Sequence, residues 1–178
     1  MKKSELKVFL DEKVLEYNNL TFIESDPIQI PHLYSQKEDI EIAGFLAATI
    51  AWGNRKMIIK NAHKMMELMG NSPYDFVMSH KGHDLEKMEG FVHRTFNSID
   101  FSYFITALNH IYTNHQGLEQ IFNLNATNNS LQPAIHQLKK IFFEIHHPQR
   151  TMKHISDPLK GSAAKRINIL IRIIKMAN

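Results

Sequence analysis

The chain has 178 residues, a length typical of one domain, and its apolar content of 43% is ordinary for a globular protein. Its formal net charge of +3 is too small to indicate a polyanionic partner by itself. It contains no cysteine, which excludes a disulfide framework, a thiolate-bound metal and a cysteine nucleophile, and which fits a cytoplasmic protein.

Helical patterns dominate the first half of the chain, because apolar side chains recur there at steps of three and four residues. The predicted helices cover residues 4–17, 36–52, 55–69 and 73–78. Residues 23–33 contain two prolines and are predicted to be an extended loop. The longest apolar run, residues 42–52, is too short to span a bilayer, so no membrane partner is predicted. It predicts a helix at the centre of a bundle.

Particular residues are predicted to begin or end the helix over residues 36–52. Ser35 and Glu38 have the spacing of a capping box. The other acids near this start, Asp39 and Glu41, are interpreted as charges that stabilise the helix dipole. Gly53 is suited to the left-handed conformation that ends many helices.

The second half of the chain continues the helical pattern. Further helices are predicted over residues 101–115, 118–124 and 131–146. Alternating isoleucines in residues 167–173 would also fit a strand, but Ser162 followed by two alanines favours a helix. Together these patterns predict an all-α orthogonal helical bundle, formed as a single domain over residues 1–178.

Positive charge is concentrated at the C-terminal end. Residues 148–178 carry seven Lys/Arg and one acid, whereas the rest of the chain carries 14 Lys/Arg and 17 acids. The energy of neutralising phosphates grows with the number of cations brought close to them, so this segment predicts a polyanionic partner.

Two helix starts carry cations suited to a phosphate. At the first, Asn54 is a predicted cap, Arg55 and Lys56 lie in the first turn, and Trp52 is close enough to stack on a base. The alternative is that Trp52 packs in the core and the cations are solvated. At the second, Ser162 is a predicted cap between cations, and a solvated basic helix is again the alternative. The cations at the second start are Lys160, Lys165 and Arg166.

No metal site, cofactor or catalytic residue is predicted. The eleven histidines include His110 and His115, five residues apart, and the adjacent His146 and His147. None forms a His-Glu-x-x-His pattern, and no carboxylate has a supporting position on the same helical face. The seven glycines form no nucleotide-binding loop and no hydrolase nucleophile elbow.

Three segments resemble an uncharacterised bacterial family, the DUF2400 proteins. They are residues 45–58, 91–96 and 157–172, and the resemblance runs from about Asp26 to Arg172. That family is in turn similar to the helix-hairpin-helix DNA glycosylases. The resemblance therefore implies the N-terminal part of a glycosylase-like helical fold and a nucleic-acid setting.

The chain departs from the glycosylase pattern at its C-terminal end. In that fold the hairpin and the catalytic carboxylate follow the helix that corresponds here to residues 165–172. This sequence has no glycine after Gly161 and no carboxylate side chain after Asp157. The resemblance thus implies a domain that is incomplete at this end and performs no reaction alone. Base excision would require the segment that is missing.

We therefore expect the domain to contact the phosphate backbone of DNA or RNA weakly, through cations gathered at helix starts. The residues expected at this contact are Trp52, Asn54, Arg55, Lys56, Arg94, Lys160, Ser162, Lys165, Arg166 and Arg172. The alternative is a protein–protein interaction module in which an exposed apolar face over residues 167–174 forms a homo-oligomer.

Overall fold

The computed structural model describes residues 2–17, 20–127 and 130–176, without the side chains of residues 17, 20, 21 and 172–176. The α-helices are α1 (Lys3–Tyr17), α2 (Leu20–Ser25), α3 (Lys37–Thr49), α4 (Arg55–Leu68), α5 (Pro73–Ser79), α6 (Gly82–Leu85), α7 (Ser98–Asn114), α8 (Leu118–Asn125), α9 (Gln132–Phe142) and α10 (Lys165–Met176). The remaining regular elements are an antiparallel hairpin, β1 (Val92–His93) and β2 (Phe96–Asn97), and 3-10 turns at Pro27–Gln29, Pro31–Leu33, Glu86–Met88, Gln149–His154 and Pro158–Lys160. The all-α prediction is confirmed. Within the described part of the chain, no helix combines the length and the apolar character needed to cross a bilayer.

Helix α3 lies at the centre of the bundle, as its apolar sequence predicts. Every residue from 41 to 50 is buried, and α4, α5 and α10 all pack against this helix. Phe45 stacks on Phe104 of α7, and its ring meets the edge of Phe142 of α9, both with centroids 5.6 Å apart. Burying each such ring stabilises the fold by roughly 1.5–3 kcal/mol. These contacts hold α3, α7 and α9 together in the core.

Glu41 corrects the interpretation of the acids at the start of α3. It is buried instead of solvated, and the hydroxyl of Tyr112 donates a hydrogen bond of 2.7 Å to its Oε2. Burial raises the pKa of this carboxyl. Gly117 packs against the same pair with φ 96°, and a Cβ there would lie 2.9 Å from Tyr112 Cε1.

The start of α3 also differs from its prediction. Gln36 precedes the helix, and no side chain caps it, so the capping box of Ser35 and Glu38 does not form. Asp39 instead accepts the backbone N–H of Tyr74 at 2.8 Å and so caps α5. A tertiary contact thus supplies a cap that the local sequence does not reveal.

The predicted extended loop over residues 23–33 is wrong. The chain there forms the end of α2 and two short 3-10 turns, each beginning with a proline. Proline is favoured at the first position of a helical turn because its missing N–H would have no partner there. Asp26 caps the first turn by accepting the N–H of Ile28 at 3.0 Å.

The helical interpretation of the C-terminal segment is confirmed, but its start differs. Helix α10 begins at Lys165, three residues after the predicted cap. Ser162 instead accepts the N–H of Ala164 at 3.1 Å, inside a turn in which Ala164 has φ 46°. The prediction that Ser162 caps a phosphate-facing helix is therefore wrong, because its oxygen serves the preceding turn.

Helix α10 packs along α3 through much of its apolar face. Ile167, Leu170 and Ile171 are buried, whereas Ile169 remains 42% exposed. In the described part of α10, the chain itself thus covers most of the expected apolar surface and leaves Ile169 exposed.

Candidate nucleic-acid interface

The turn between α3 and α4 presents the first candidate helix start. Gly53 has φ 99°, a conformation that favours glycine, as the sequence predicts. The side chain of Asn54 accepts the backbone N–H of Met57 at 3.2 Å, so the predicted cap of α4 is confirmed. Arg55 and Lys56 follow in the first turn, and both are exposed.

The β1–β2 hairpin packs onto this turn and brings Arg94 to it. His93 donates through Nε2 to the carbonyl of Trp52 at 3.2 Å, and its Nδ1 accepts from Asn61 of α4 at 2.8 Å. Burial lowers the pKa of His93, which favours the neutral ring that makes both bonds. Arg94 has φ 55°, and a Cβ built on Gly53 would lie 3.2 Å from its Nη1. The lack of a side chain at Gly53 therefore leaves room for this guanidinium.

Arg166 joins the second candidate segment to the same turn. Its Nη1 donates to the carbonyl of Thr49 at 2.7 Å, at the end of α3. Its guanidinium lies 4.8 Å from the centre of the Trp52 ring, in a cation–π contact. Burial lowers the pKa of Arg166, but an arginine remains charged at neutral pH. Trp52 is thus a packing partner of Arg166, and one of its faces is not free to stack on a base.

A buried polar cluster that the sequence did not predict lies next to Trp52. Asp100 is fully buried and accepts a hydrogen bond of 2.7 Å from Thr151, and Arg150 Nη2 lies 3.3 Å from its carboxylate. His154 Nε2 is also 3.3 Å from this carboxylate, and its ring centroid is 6.1 Å from that of Trp52. Burial lowers the pKa of His154. Arg150 therefore stabilises the fold through its ion pair with Asp100.

One local signal could have located Asp100. Asn97 caps α7, and its own backbone N–H donates to Oδ2 of Asp100 at 3.1 Å. This is a capping box with Asn and Asp in the usual positions, three residues apart. The pattern fixes the carboxylate at a helix start but does not predict which cations pack against it.

Arg55 is partly neutralised by a neighbouring acid. Its Nη2 lies 4.0 Å from Asp26, and its guanidinium lies 5.7 Å from the ring centre of Phe22. Arg55 and Asp26 line an open pocket of about 230 Å³ together with Gly53 and Ile169. This pocket separates the first turn of α4 from α10.

Among the described side chains, those of Lys160, Ser162 and Lys165 make no hydrogen bond or ion pair with this turn. Lys160 and Lys165 are exposed, and Lys160 belongs to the 3-10 turn that packs on α9, where its charge lowers the pKa of Lys139 after the larger effect of burial. Ser162 lies in the turn before α10. Helix α10 includes Arg172, but its side chain lies outside the described residues.

The structure thus assembles one cationic surface from two distant segments. We call Gly53, Arg55, Lys56 and Arg94 the Gly53 surface, and Trp52 with Arg166 supports it from the side of α10. Cations and the positive end of the α4 dipole are features that favour a phosphate, and Gly53 leaves room for one of these cations, Arg94.

Comparison with known proteins found one matching family. A family model described as "Protein of unknown function (DUF2400)" matches residues 26–174, which include all the residues predicted to contact nucleic acid. No curated protein and no solved structure matches the chain. The expected similarity to helix-hairpin-helix DNA glycosylases therefore stays a prediction.

Proposed function

The chain belongs to the DUF2400 family of proteins of unknown function, and we propose that it is a helical domain that binds the phosphate backbone of nucleic acid through the Gly53 surface. The observation that supports this most strongly is the position of Arg94. It comes from a hairpin far along the sequence, yet its guanidinium lies against Gly53, beside the cationic first turn of α4. The fold thus gathers cations that the sequence keeps apart.

Each part of the Gly53 surface suits a phosphate for a separate reason. The planar guanidinium of Arg94 can donate two parallel hydrogen bonds to phosphate oxygens. Lys56 supplies a compact charge at the positive end of the α4 dipole. Gly53 adds no side chain, which leaves room for the Arg94 guanidinium to lie against the turn. The pair of Arg55 with Asp26 reduces the total charge and favours weak binding.

The proposed binding does not depend on base sequence. Arg166 covers one face of Trp52, and the proposed contacts come from cations, which read the backbone instead of base edges. Binding of this type has dissociation constants of about 0.1 mM to 1 μM at physiological salt and weakens steeply as salt is added. The proposal concerns binding only and assigns no reaction to this chain.

A double variant tests the proposal. Lys56→Gln with Arg94→Gln removes two exposed cations of the Gly53 surface, neither of which makes a side-chain hydrogen bond within the described part of the chain. Fluorescence anisotropy with a labelled DNA duplex would measure affinity between roughly 50 and 200 mM salt. Because each lost phosphate contact lowers the salt slope by about one, we expect the slope to fall by about two.

The matched control removes two exposed cations from other helices. Lys3→Gln with Lys140→Gln changes the net charge equally but leaves the Gly53 surface intact. We expect this control to retain most of the slope. If the salt slope fell equally in the two double variants, only net charge would matter. An unchanged salt slope in the Lys56 and Arg94 double variant would reject the Gly53 surface as the binding site. Single-stranded RNA of equal length would show whether the contact prefers duplex DNA.

The homo-oligomer expected through the apolar face of α10 stays a prediction. Ile167 and Ile171 are already buried against α3, so of the side chains described on this face Ile169 is the main apolar one left exposed. Light scattering on dilution would test it, because a weak homodimer dissociates as its concentration falls.

A further inference from the structure

Two histidines and one glutamate meet where α7 and α9 end. His110 lies in the last turns of α7, and His115 immediately follows that helix. Glu144 follows the end of α9 and comes from a different part of the sequence. Its Oε2 lies 3.0 Å from His110 Nε2 and 3.2 Å from His115 Nε2. All three ligand atoms lie within 4.8 Å of one another.

The backbone at these positions is held by the helix ends. The N–H of His115 donates to Ile111 at 2.8 Å, and the N–H of Glu144 donates to Ile141 at 3.2 Å. Tyr103 of α7 joins the two helices by donating its hydroxyl to the carbonyl of Phe142 at 2.5 Å. The three side chains therefore start from fixed positions and not from a mobile loop.

The geometry fits a bound metal ion. Zinc binds histidine nitrogen at about 2.0–2.1 Å and carboxylate oxygen at about 2.0–2.2 Å, usually with tetrahedral geometry. Neighbouring ligand atoms of such a tetrahedron are about 3.3–3.5 Å apart. The two measured nitrogen–oxygen separations, 3.0 and 3.2 Å, are slightly shorter than this. A small outward shift of Glu144 would make room for an ion between the three groups. Metal binding at His110 Nε2 also requires the ring proton on Nδ1, so the Asn114 amide, which lies 3.0 Å from Nδ1, would turn its oxygen towards the ring.

The electrostatic setting also favours a cation. The C-terminal ends of α7 and α9 both face this position, and helix C-termini carry partial negative charge. The side chains of His110 and His115 are 21% and 28% exposed, and that of Glu144 is 54% exposed. An ion can therefore enter from solvent and keep a water ligand.

We propose that His110 and His115, through their Nε2 atoms, and Glu144, through its carboxylate, bind a divalent first-row transition-metal ion. Imidazole and carboxylate donors without a thiolate suit ions such as Zn²⁺ and Co²⁺, whereas Mg²⁺ prefers oxygen ligands alone. This site goes beyond the proposed nucleic-acid function. It lies ten residues after Asp100 on α7, or about 15 Å along that helix from the cluster beside Trp52.

Zinc binding to the tag-free, chelator-treated full chain would test the proposal. Competition with a chromophoric chelator would measure the zinc affinity and the number of ions bound. We expect one ion per chain and no comparable binding of Mg²⁺. Loss of a second-shell partner typically costs 10–100-fold in affinity, so loss of a ligand should cost at least about 100-fold. The variants are His110→Ala, His115→Ala and Glu144→Gln, with His83→Ala as an exposed-histidine control.

Co²⁺ provides a second measurement that reports ligand geometry. A tetrahedral site with imidazole ligands should give a visible absorption band, which Zn²⁺ should abolish by displacement. Glu144→Gln preserves the shape of the side chain. Its zinc affinity therefore tests the site even if a histidine variant fails to fold. The proposal is overturned if Glu144→Gln binds zinc as tightly as the parent chain. It is also overturned if His83→Ala loses as much affinity as the ligand variants.

Discussion

Replacing Arg166 by methionine should destabilise the fold by an amount that the structure allows us to estimate. Methionine keeps an apolar side chain against Trp52 but removes the hydrogen bond to Thr49 and the cation–π contact. A hydrogen bond from a charged group contributes about 1.5–3 kcal/mol, and a partly desolvated cation–π contact contributes roughly 1 kcal/mol. Because methionine recovers some packing, we expect a loss of about 2–3 kcal/mol in the free energy of unfolding.

Urea unfolding followed by fluorescence measures this loss directly, because Trp52 is the single tryptophan of the chain and touches Arg166. For a domain of this size, a loss of 1 kcal/mol lowers Tm by about 2–4 °C, so Tm should fall by about 4–12 °C. Lys165→Met is the matched control, since it removes an exposed neighbouring cation. We expect it to change stability by less than about 0.5 kcal/mol. Equal effects of the two variants would refute the anchoring role of Arg166.

Three further predictions concern the core. Asp100→Asn should lower the free energy of unfolding by about 3 kcal/mol in urea titrations, because it leaves Arg150 and His154 without their buried partner. Burial lowers the pKa of His154 in the folded state. The stability that depends on its neutral ring should therefore be fully present above about pH 6.5, and it should be lost as the pH falls through that lower pKa. His154→Gln should make the free energy of unfolding depend less on pH between pH 7 and 5. An unchanged slope of this free energy against pH would contradict the prediction. Gly117→Ala should cost about 1–3 kcal/mol by calorimetry, because its Cβ would lie 2.9 Å from Tyr112 Cε1.

The sequence predicts the elements whose signals are local. Residues 42–52 are apolar apart from Thr49, so α3 could be placed at the centre of the bundle before its neighbours were known. Asn54 caps α4 as predicted, and Gly53 adopts the predicted positive φ. Gly53 does not end α3, however, because that helix stops at Thr49 with Ile50 as its C-cap. In each case a short segment contains the whole physical reason for the structure.

The features that the sequence did not predict depend on contacts between distant segments. Arg94 lies in a region with weak signals, and no local pattern shows that its hairpin packs on the turn at Gly53. Asp39 looks like a dipole-stabilising acid but caps α5. Glu144 lies 29 residues from His115, so the spacing of histidines along one helix predicted no metal site.

The single indole N–H of Trp52 tests most directly whether nucleic acid binds beside the turn between α3 and α4. In a two-dimensional ¹H–¹⁵N NMR spectrum of the full chain, this group should give one isolated resonance. We expect it to shift progressively as a DNA duplex is added at low salt, to return when salt is raised, and to shift less in Arg94→Gln. A resonance that does not move while anisotropy reports bound duplex would place the contact elsewhere and contradict the account.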